Sequence, residues 1–332
     1  HGAVELHRHP QDWFAHGHQN DPAYNQVVLH VVGQGSHPPA QRADGTPIPT
    51  VELFPRLVPG LEARYRALCQ GLTPYPCAHL VARVPPAVVQ GQLARMGIAR
   101  LEARAQALEP AFRQVQDWEQ LLWQEVAAAF GMKVNGPAFR ALAEQIPYRV
   151  LKRSLHQPGA AEALLFGGAG MLAANPDAAH PYVQQLAAEW QHQAHKHGLQ
   201  PLAPSRFRYL RMRPPNFPTL RLAQLAAWVR HQSDFLQLIA TPGELLRTRP
   251  QLTLNAYWHT HYVWGKPVAK TSHQPGAAFW QGLAINAVAP VLALYRQRQT
   301  HQGLTDLLEW LEALPPEANK VTRTYAGLPH PA

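Results

Sequence analysis

The chain has 332 residues, 46 % of them hydrophobic and 15 % charged, with nine Trp, which excludes an intrinsically disordered protein and allows one large core or two domains. Its net charge is +9 and Arg outnumbers Lys, a balance that suits a polyanionic partner because guanidinium matches phosphate with a planar fork of donors. Two cysteines, Cys69 and Cys77, build neither a disulfide framework nor a four-cysteine zinc site.

The first informative stretch is residues 4–32, VELHRHPQDWFAHGHQNDPAYNQVVLHVV. Val4-Glu5-Leu6-His7 alternates, which predicts a strand with Glu5 and His7 on one face and Val4 and Leu6 on the other. Residues 27–32 form a β-branched apolar run with His30 set into it, the pattern of a buried strand. The Gly-broken segment between them is too short for a long helix. A strand, a turn of helix and a second strand would therefore gather Glu5, His7, one of His16 and His18, and Asp21. That is a dense set of metal-ligand and acid/base groups. With 19 histidines in the chain, crowding by chance accounts for any single one. The alternation of an acid and a histidine on one strand is what makes the segment a candidate site.

A turn-rich stretch follows, with Asp44-Gly45 as a hairpin signal and residues 48–54 as a third strand. From Pro59 the pattern turns helical. Helices are predicted over residues 61–72, 88–108, 112–130 (ending at Gly131), 138–146 and 149–155. Arg100 and Arg104, one turn apart, are placed to grip a phosphate or to lie on a solvated face. Residues 160–173 carry a glycine cluster. No Gly-Lys-Ser/Thr and no preceding strand accompany it, so close helix packing is expected instead of a phosphate loop. Residues 182–197 read as a surface helix whose His192 and His195 are solvated.

The second informative stretch is residues 206–224, RFRYLRMRPPNFPTLRLAQ. Arg206, Arg208, Arg211 and Arg213 precede a predicted helix start, with Asn216 or Thr219 as cap and Pro218 in the first turn. Leu222, Leu225, Ala226 and Val229 form its apolar stripe, which turns Arg221 and Gln224 away. Arginines beside a helix N-terminus bind phosphate, or else tie loops together through carbonyls. Arg208, Arg211, Arg213 and Arg221 are the candidate nucleic-acid contacts. His259 and His261 lie in an aromatic cluster without a third ligand, so they are read as packing. Residues 277–298, 304–314 and 316–325 are predicted helices.

These matching stretches, together with FGMKVNGPAF, EALLFGGAGML and YWHTHY, resemble a family of uncharacterised bacterial proteins, the domain of unknown function 2851, over nearly the whole chain. Members of that family usually begin earlier and end later, so the resemblance implies an interior piece truncated at both ends. Within the first ~60 residues the layout is similar to PD-(D/E)XK nucleases. That likeness implies a Mg²⁺- or Mn²⁺-dependent site with Glu5-Leu6-His7 as its Glu-x-Lys element, His standing for Lys. In a very-short-patch-repair-like arrangement, His16 or His18 and then Asp21 would follow, with Tyr24 in place of Arg.

The resulting expectation is an α+β protein. Residues 1–58 form a truncated mixed β-sheet of PD-(D/E)XK type, and residues 59–332 form a mainly helical domain. Glu5 and His7 are the catalytic candidates; Glu5, His16, His18, Asp21 and His30 are the metal candidates. The expected function is a metal-dependent nuclease acting on nucleic acid. One alternative is a noncatalytic nucleic-acid-binding protein on a decayed nuclease fold. Another is a zinc hydrolase built from His16, His18, Asp21 and His30. No secretory leader and no apolar run of ~18 residues is visible, so a cytoplasmic protein without a membrane partner is expected. An unpaired sheet edge beside Glu5 would favour edge association; the sequence leaves the oligomeric state open.

Overall fold

The computed structural model describes residues 1–35, 38–70, 75, 80, 83–240, 250–299, 304–315, 317 and 319–327. Expectations that fall on Ser36, His37, Leu72, Pro74, Pro76, Cys77 and Pro316 lie outside them. The chain divides into two compact units, with the boundary between Pro85 and Pro86. The protein is of the α+β class: a small sheet comes first and helices follow.

In the first unit, β1 (Ala3–His7), β2 (Val27–Val32) and β3 (Thr50–Glu52) form one sheet in that order. The expected mixed sheet is corrected here: among the described residues both pairings are parallel. The reason lies in the connections. Helix α1 (Asp12–Ala15) and two 3-10 turns carry the chain back from the end of β1 to the start of β2. The Asp44-Gly45 turn does form, with Gly45 at φ 79° and the Asp44 carboxylate accepting from the Thr46 N–H. It closes only a local bridge between Gln41 and Pro47, so it never becomes a strand hairpin. Strand β3 is shorter than expected because Ile48 is drawn into the core and Phe54 begins a 3-10 turn with Pro55.

The alternation along β1 is present, but its faces are inverted relative to hydrophobicity. Val4 and Leu6 are 56 % and 68 % exposed, whereas His30 is 1 % exposed and the His7 side chain 6 %. The polar face is the covered one. Trp13 of α1 is its lid, fully buried, with its indole N–H donating to the Gln41 carbonyl at 3.0 Å. Val27, Ala40 and Ile48 complete a small core around it.

The second unit is helical. Its elements are α3 (Pro86–Val115), α4 (Trp118–Gln145), α5 (Tyr148–Ser154), α6 (Ala160–Gly168), α7 (Pro181–His197), α8 (Pro218–His231), α9 (Phe235–Ala240), α10 (Ala277–Leu283), α11 (Ala289–Arg298), α12 (Thr305–Glu312) and α13 (Lys320–Ala326). Helix α2 (Leu61–Cys69) belongs to the first unit. The expected helix over 112–130 is redistributed. Phe112 closes α3, Asp117 caps α4 by accepting from the Gln120 N–H, and α4 continues past Gly131 to Gln145. The glycine signal marks a kink rather than an end, since Met132 takes the non-helical φ 54°, ψ −161°.

The glycine cluster of α6 serves close packing, as expected. A Cβ on Gly167 would stand 2.1 Å from the Trp190 ring. His259 ends a 3-10 turn (Ala256–His259) rather than lying on a strand, and it stacks on His273 at 4.4 Å beside buried Tyr257 and Trp258. Among the described residues, one helical stretch, Ala277–Arg298, is long and apolar enough by length and composition to cross a membrane. Most of its apolar window, 61 %, is buried inside the fold.

A candidate metal centre and an arginine loop

Four histidines and aromatic side chains meet around the covered face of β1. His7 comes from the end of β1, and His30 from β2 beside Glu5 in the parallel register. His16 follows α1, and His18 opens the 3-10 turn after the left-handed Gly17 (φ 74°). That reversal at Gly17 brings two histidines of near-adjacent sequence onto one side.

His7, His16 and His18 each offer a ligand atom, and these atoms all lie within 4.8 Å of one another. A tetrahedral ion with N–metal bonds of about 2.0 Å asks for an N···N edge of about 3.3 Å. The three rings therefore need only a small inward adjustment. His7 stacks on His18 at 5.3 Å, and His18 stacks in turn on Tyr24 at 3.8 Å. His18 is buried and His16 exposed, so the cluster is walled on one side and open to solvent on the other.

The support around the cluster is specific. His7 Nδ1 meets His30 Nε2 at 2.9 Å, which leaves His7 Nε2 facing the other histidines. Glu5 lies 3.7 Å from that Nε2. A hydrogen-bonded distal nitrogen fixes the ring and tautomer of a ligating histidine. Burial holds His7 below the usual histidine pKa, against the opposing pull of Glu5, and the neighbouring His18 and His16 lower it further. His30 is lowered for the same reasons, burial first and His7 second. Both shifts favour the neutral form of the ring, the form that coordinates metal.

Of the sequence candidates, Glu5, His7, His16, His18 and His30 come together, and Asp21 does not join them. The Asp21 carboxylate is exposed and accepts from the Ala23 N–H, capping a 3-10 turn. The sequence reading did not single out Trp13 and Tyr24 as walls of this site. Their only signal was an aromatic between His9 and His16 and another shortly before β2.

In the second unit, the backbone of Arg208 is clamped by Asn135, which is 1 % exposed. The amide of Asn135 accepts from the Arg208 N–H at 2.7 Å and donates to the Arg208 carbonyl at 2.9 Å. The clamp holds up a loop on which Arg206, Arg208, Arg211 and Arg213 are exposed. Their side chains form no ion pair among the described residues. Arg211 takes a left-handed φ of 60°, and neighbouring Leu210 is 82 % exposed.

Arg221 is different. It is 6 % exposed and donates to Asn216 at 2.7 Å and to Gln224 at 3.0 Å, with its guanidinium 4.4 Å from the Phe279 ring centroid. Burial lowers its pKa to about 10. The expectation that Arg221 and Gln224 turn outward is corrected: α8 is buried on nearly all sides, so a polar position on its helical wheel is still an interior position. The cap also differs. Asn216 serves Arg221, and the Thr219 hydroxyl donates to the Tyr262 carbonyl at 2.6 Å, so α8 starts at Pro218 without a side-chain cap.

The fold and this cluster define an α+β protein with a polyhistidine centre on a small parallel sheet. The family of proteins of unknown function designated DUF2851 matches residues 1–320, and the chain belongs to it. No curated protein and no solved structure matches the chain.

Proposed function

We propose that the protein is a metal-dependent hydrolase of phosphate esters, with nucleic acid as its substrate class and a zinc-class ion as its metal. The observation that carries this reading is the convergence of the ligand atoms of His7, His16 and His18 within 4.8 Å. Imidazole nitrogens suit zinc and its neighbours among the transition metals, whereas Mg²⁺ demands oxygen ligands in near-octahedral array. The donor set therefore fits the zinc reading better than a Mg²⁺ site of PD-(D/E)XK type. Its composition is His7, His16 and His18, not the set with Asp21. Three protein ligands with an open side are the usual layout of a catalytic zinc site.

When bound, such an ion supplies Lewis acidity toward water and the ester. Glu5, partly exposed and beside His7, is the group placed to hold a proton from attacking water. His30 orients His7 and keeps its neutral tautomer, and Trp13 shields the inner wall. The exposed arginines of the 206–213 loop and the net charge of +9 support a polyanionic substrate.

Cobalt substitution tests the site. Co²⁺ added to the full chain should give the intense visible bands of four-coordinate cobalt, and His18→Ala should abolish them. Glu5→Gln should retain the bands and lose cleavage of a fluorescent single-stranded DNA by roughly a hundredfold. Cobalt spectra that are octahedral, or that His18→Ala leaves unchanged, overturn the metal assignment. Full cleavage by Glu5→Gln removes Glu5 from the chemistry.

A further inference from the structure

Arg100 and Arg104 stand one turn apart on α3 and reach the same residue of the second unit. Arg100 Nη2 donates to Asn286 Oδ1 at 3.0 Å, and Arg104 Nη1 donates to that same oxygen at 3.1 Å. Arg104 Nη2 donates to the Asn286 carbonyl at 3.0 Å. Neither arginine has an ion pair among the described residues. Two cations drawn to one neutral amide repel each other and lack the anion that would relieve them. Asn286 sits in a π turn, Ala284–Val288, between α10 and α11. Such turns interrupt regular helix and are frequent at functional sites.

Beside this cluster a groove of about 840 Å³ opens, lined among others by Arg104, Asn286, Lys133, Met132, Phe279 and Leu283. Its size lies within the range of small-molecule sites, about 300–1,000 Å³. The Lys133 side chain is exposed and its ammonium has no hydrogen bond or ion pair among the described residues. Met132, next to it, holds its φ of 54° at the groove wall, a backbone conformation costly for a residue with a Cβ. The remaining charges at the groove are Arg140, paired with Glu125 at 2.6 Å, and Glu144. Glu312 lines the adjoining apolar slot with Arg100 and Arg104 without ion-pairing to either. The pair Arg140–Glu125 cancels, and Arg100, Arg104 and Lys133 stand against Glu144 and Glu312, which leaves a formal excess of one positive charge.

We infer that this groove binds a small organic phosphate of mononucleotide size. The N–H groups of Arg104 not spent on Asn286 and the ammonium of Lys133 would hold the phosphate, with Arg100 beside them. Arginine recognises phosphate through paired N–H donors, and lysine adds a point charge. Phe279, which the Arg221 guanidinium approaches at 4.4 Å, gives the groove an aromatic wall for a base, and Leu283 and Met132 extend its apolar side. The site lies within the helical unit and does not depend on the histidine cluster.

Calorimetry on the full chain, run in EDTA to separate it from any metal effect, tests the inference with adenosine monophosphate, adenosine and inorganic phosphate as probes. Adenosine monophosphate should bind saturably with Kd below about 1 mM, and adenosine at least about tenfold more weakly. Arg104→Gln and Lys133→Gln should each weaken adenosine monophosphate about tenfold, and Arg104→Lys by less. If Arg104→Gln fails to fold because it also braces α3, Lys133→Gln decides alone, since that side chain holds nothing in place. Absence of saturable binding, or unchanged affinity in Lys133→Gln, overturns the proposal. So does tenfold tighter binding of oligo(dT) that Lys133→Gln weakens, since the groove would then track a nucleic-acid strand.

Discussion

The two units bury different chemistry. The sheet unit turns His7 and His30 inward against Trp13, with Glu5 partly exposed beside His7, and leaves Val4, Leu6 and Val28 exposed at 56, 68 and 45 %. The helical unit does the opposite: its interior is filled by side chains such as Trp123, Phe130, Phe166 and Trp228, and its buried polar groups, such as Asn135 and the Arg221–Gln224 pair, are held by hydrogen bonds. Burial of apolar area is the main favourable contribution to folding, so a unit that spends its covered face on histidines gives up stability there. That surrender is part of what supports the proposed site, because nothing in the packing of a small sheet calls for it.

The comparison breaks most directly at Trp13. With so few apolar side chains around it, Trp13→Ala should cost about 3–5 kcal/mol and unfold the first unit while the helical unit persists. Hydrogen exchange resolved by segment checks this; protection lost equally in both units would mean that they fold as one. Asn135→Ala comes next. It removes two hydrogen bonds to the Arg208 backbone from a buried position, an expected loss of about 2–3 kcal/mol. The midpoint of chemical denaturation of the helical unit is the readout, and an unchanged midpoint would show that the loop holds itself.

A smaller and opposite signature is expected with pH. His7 and His30 are both held below the ordinary histidine value of about 6.5. A depressed histidine takes up its proton more readily in the unfolded chain. The first unit should therefore have its full stability above pH 6.5 and lose it as pH falls from about 6.5 through the lowered folded-state values. Thermal unfolding of the sheet unit between pH 7.5 and 5 measures it, and greater stability at pH 5 would reverse the sign. The smallest effect separates the arginines. Arg211→Ala or Arg213→Ala should each lower the salt slope of single-stranded DNA binding by roughly 0.7–0.9, as loss of one phosphate contact requires. Unchanged slopes in both would remove the loop from nucleic-acid binding.

Much of this was written in local pattern. The alternation of Val4 to His7 and the run from Val27 to Val32 are near-complete strands in the fold, because a period of two and β-branching are properties of a few neighbouring residues. The packing role of Gly167 was legible for the same reason. Where a signal had two outcomes, the sequence stopped short. Gly131 promised a helix end and produced a kink, since the continuing chain found partners inside the helical unit.

The sequence by itself determined which chemistry is available: histidines and an acid on one short strand-turn-strand segment, and arginines crowded before Pro214. Only the tertiary structure decided which of them converge. Asp21 and His18 are three positions apart, yet one caps a turn and the other enters the cluster, because the left-handed Gly17 and the parallel return to β2 set their directions. Arg213 and Arg221 look alike in sequence, yet one is exposed and the other enclosed between α8 and Phe279. Composition and period belong to neighbours along the chain, whereas enclosure depends also on residues far away in it, as Phe279 is from Arg221 and His30 from His7.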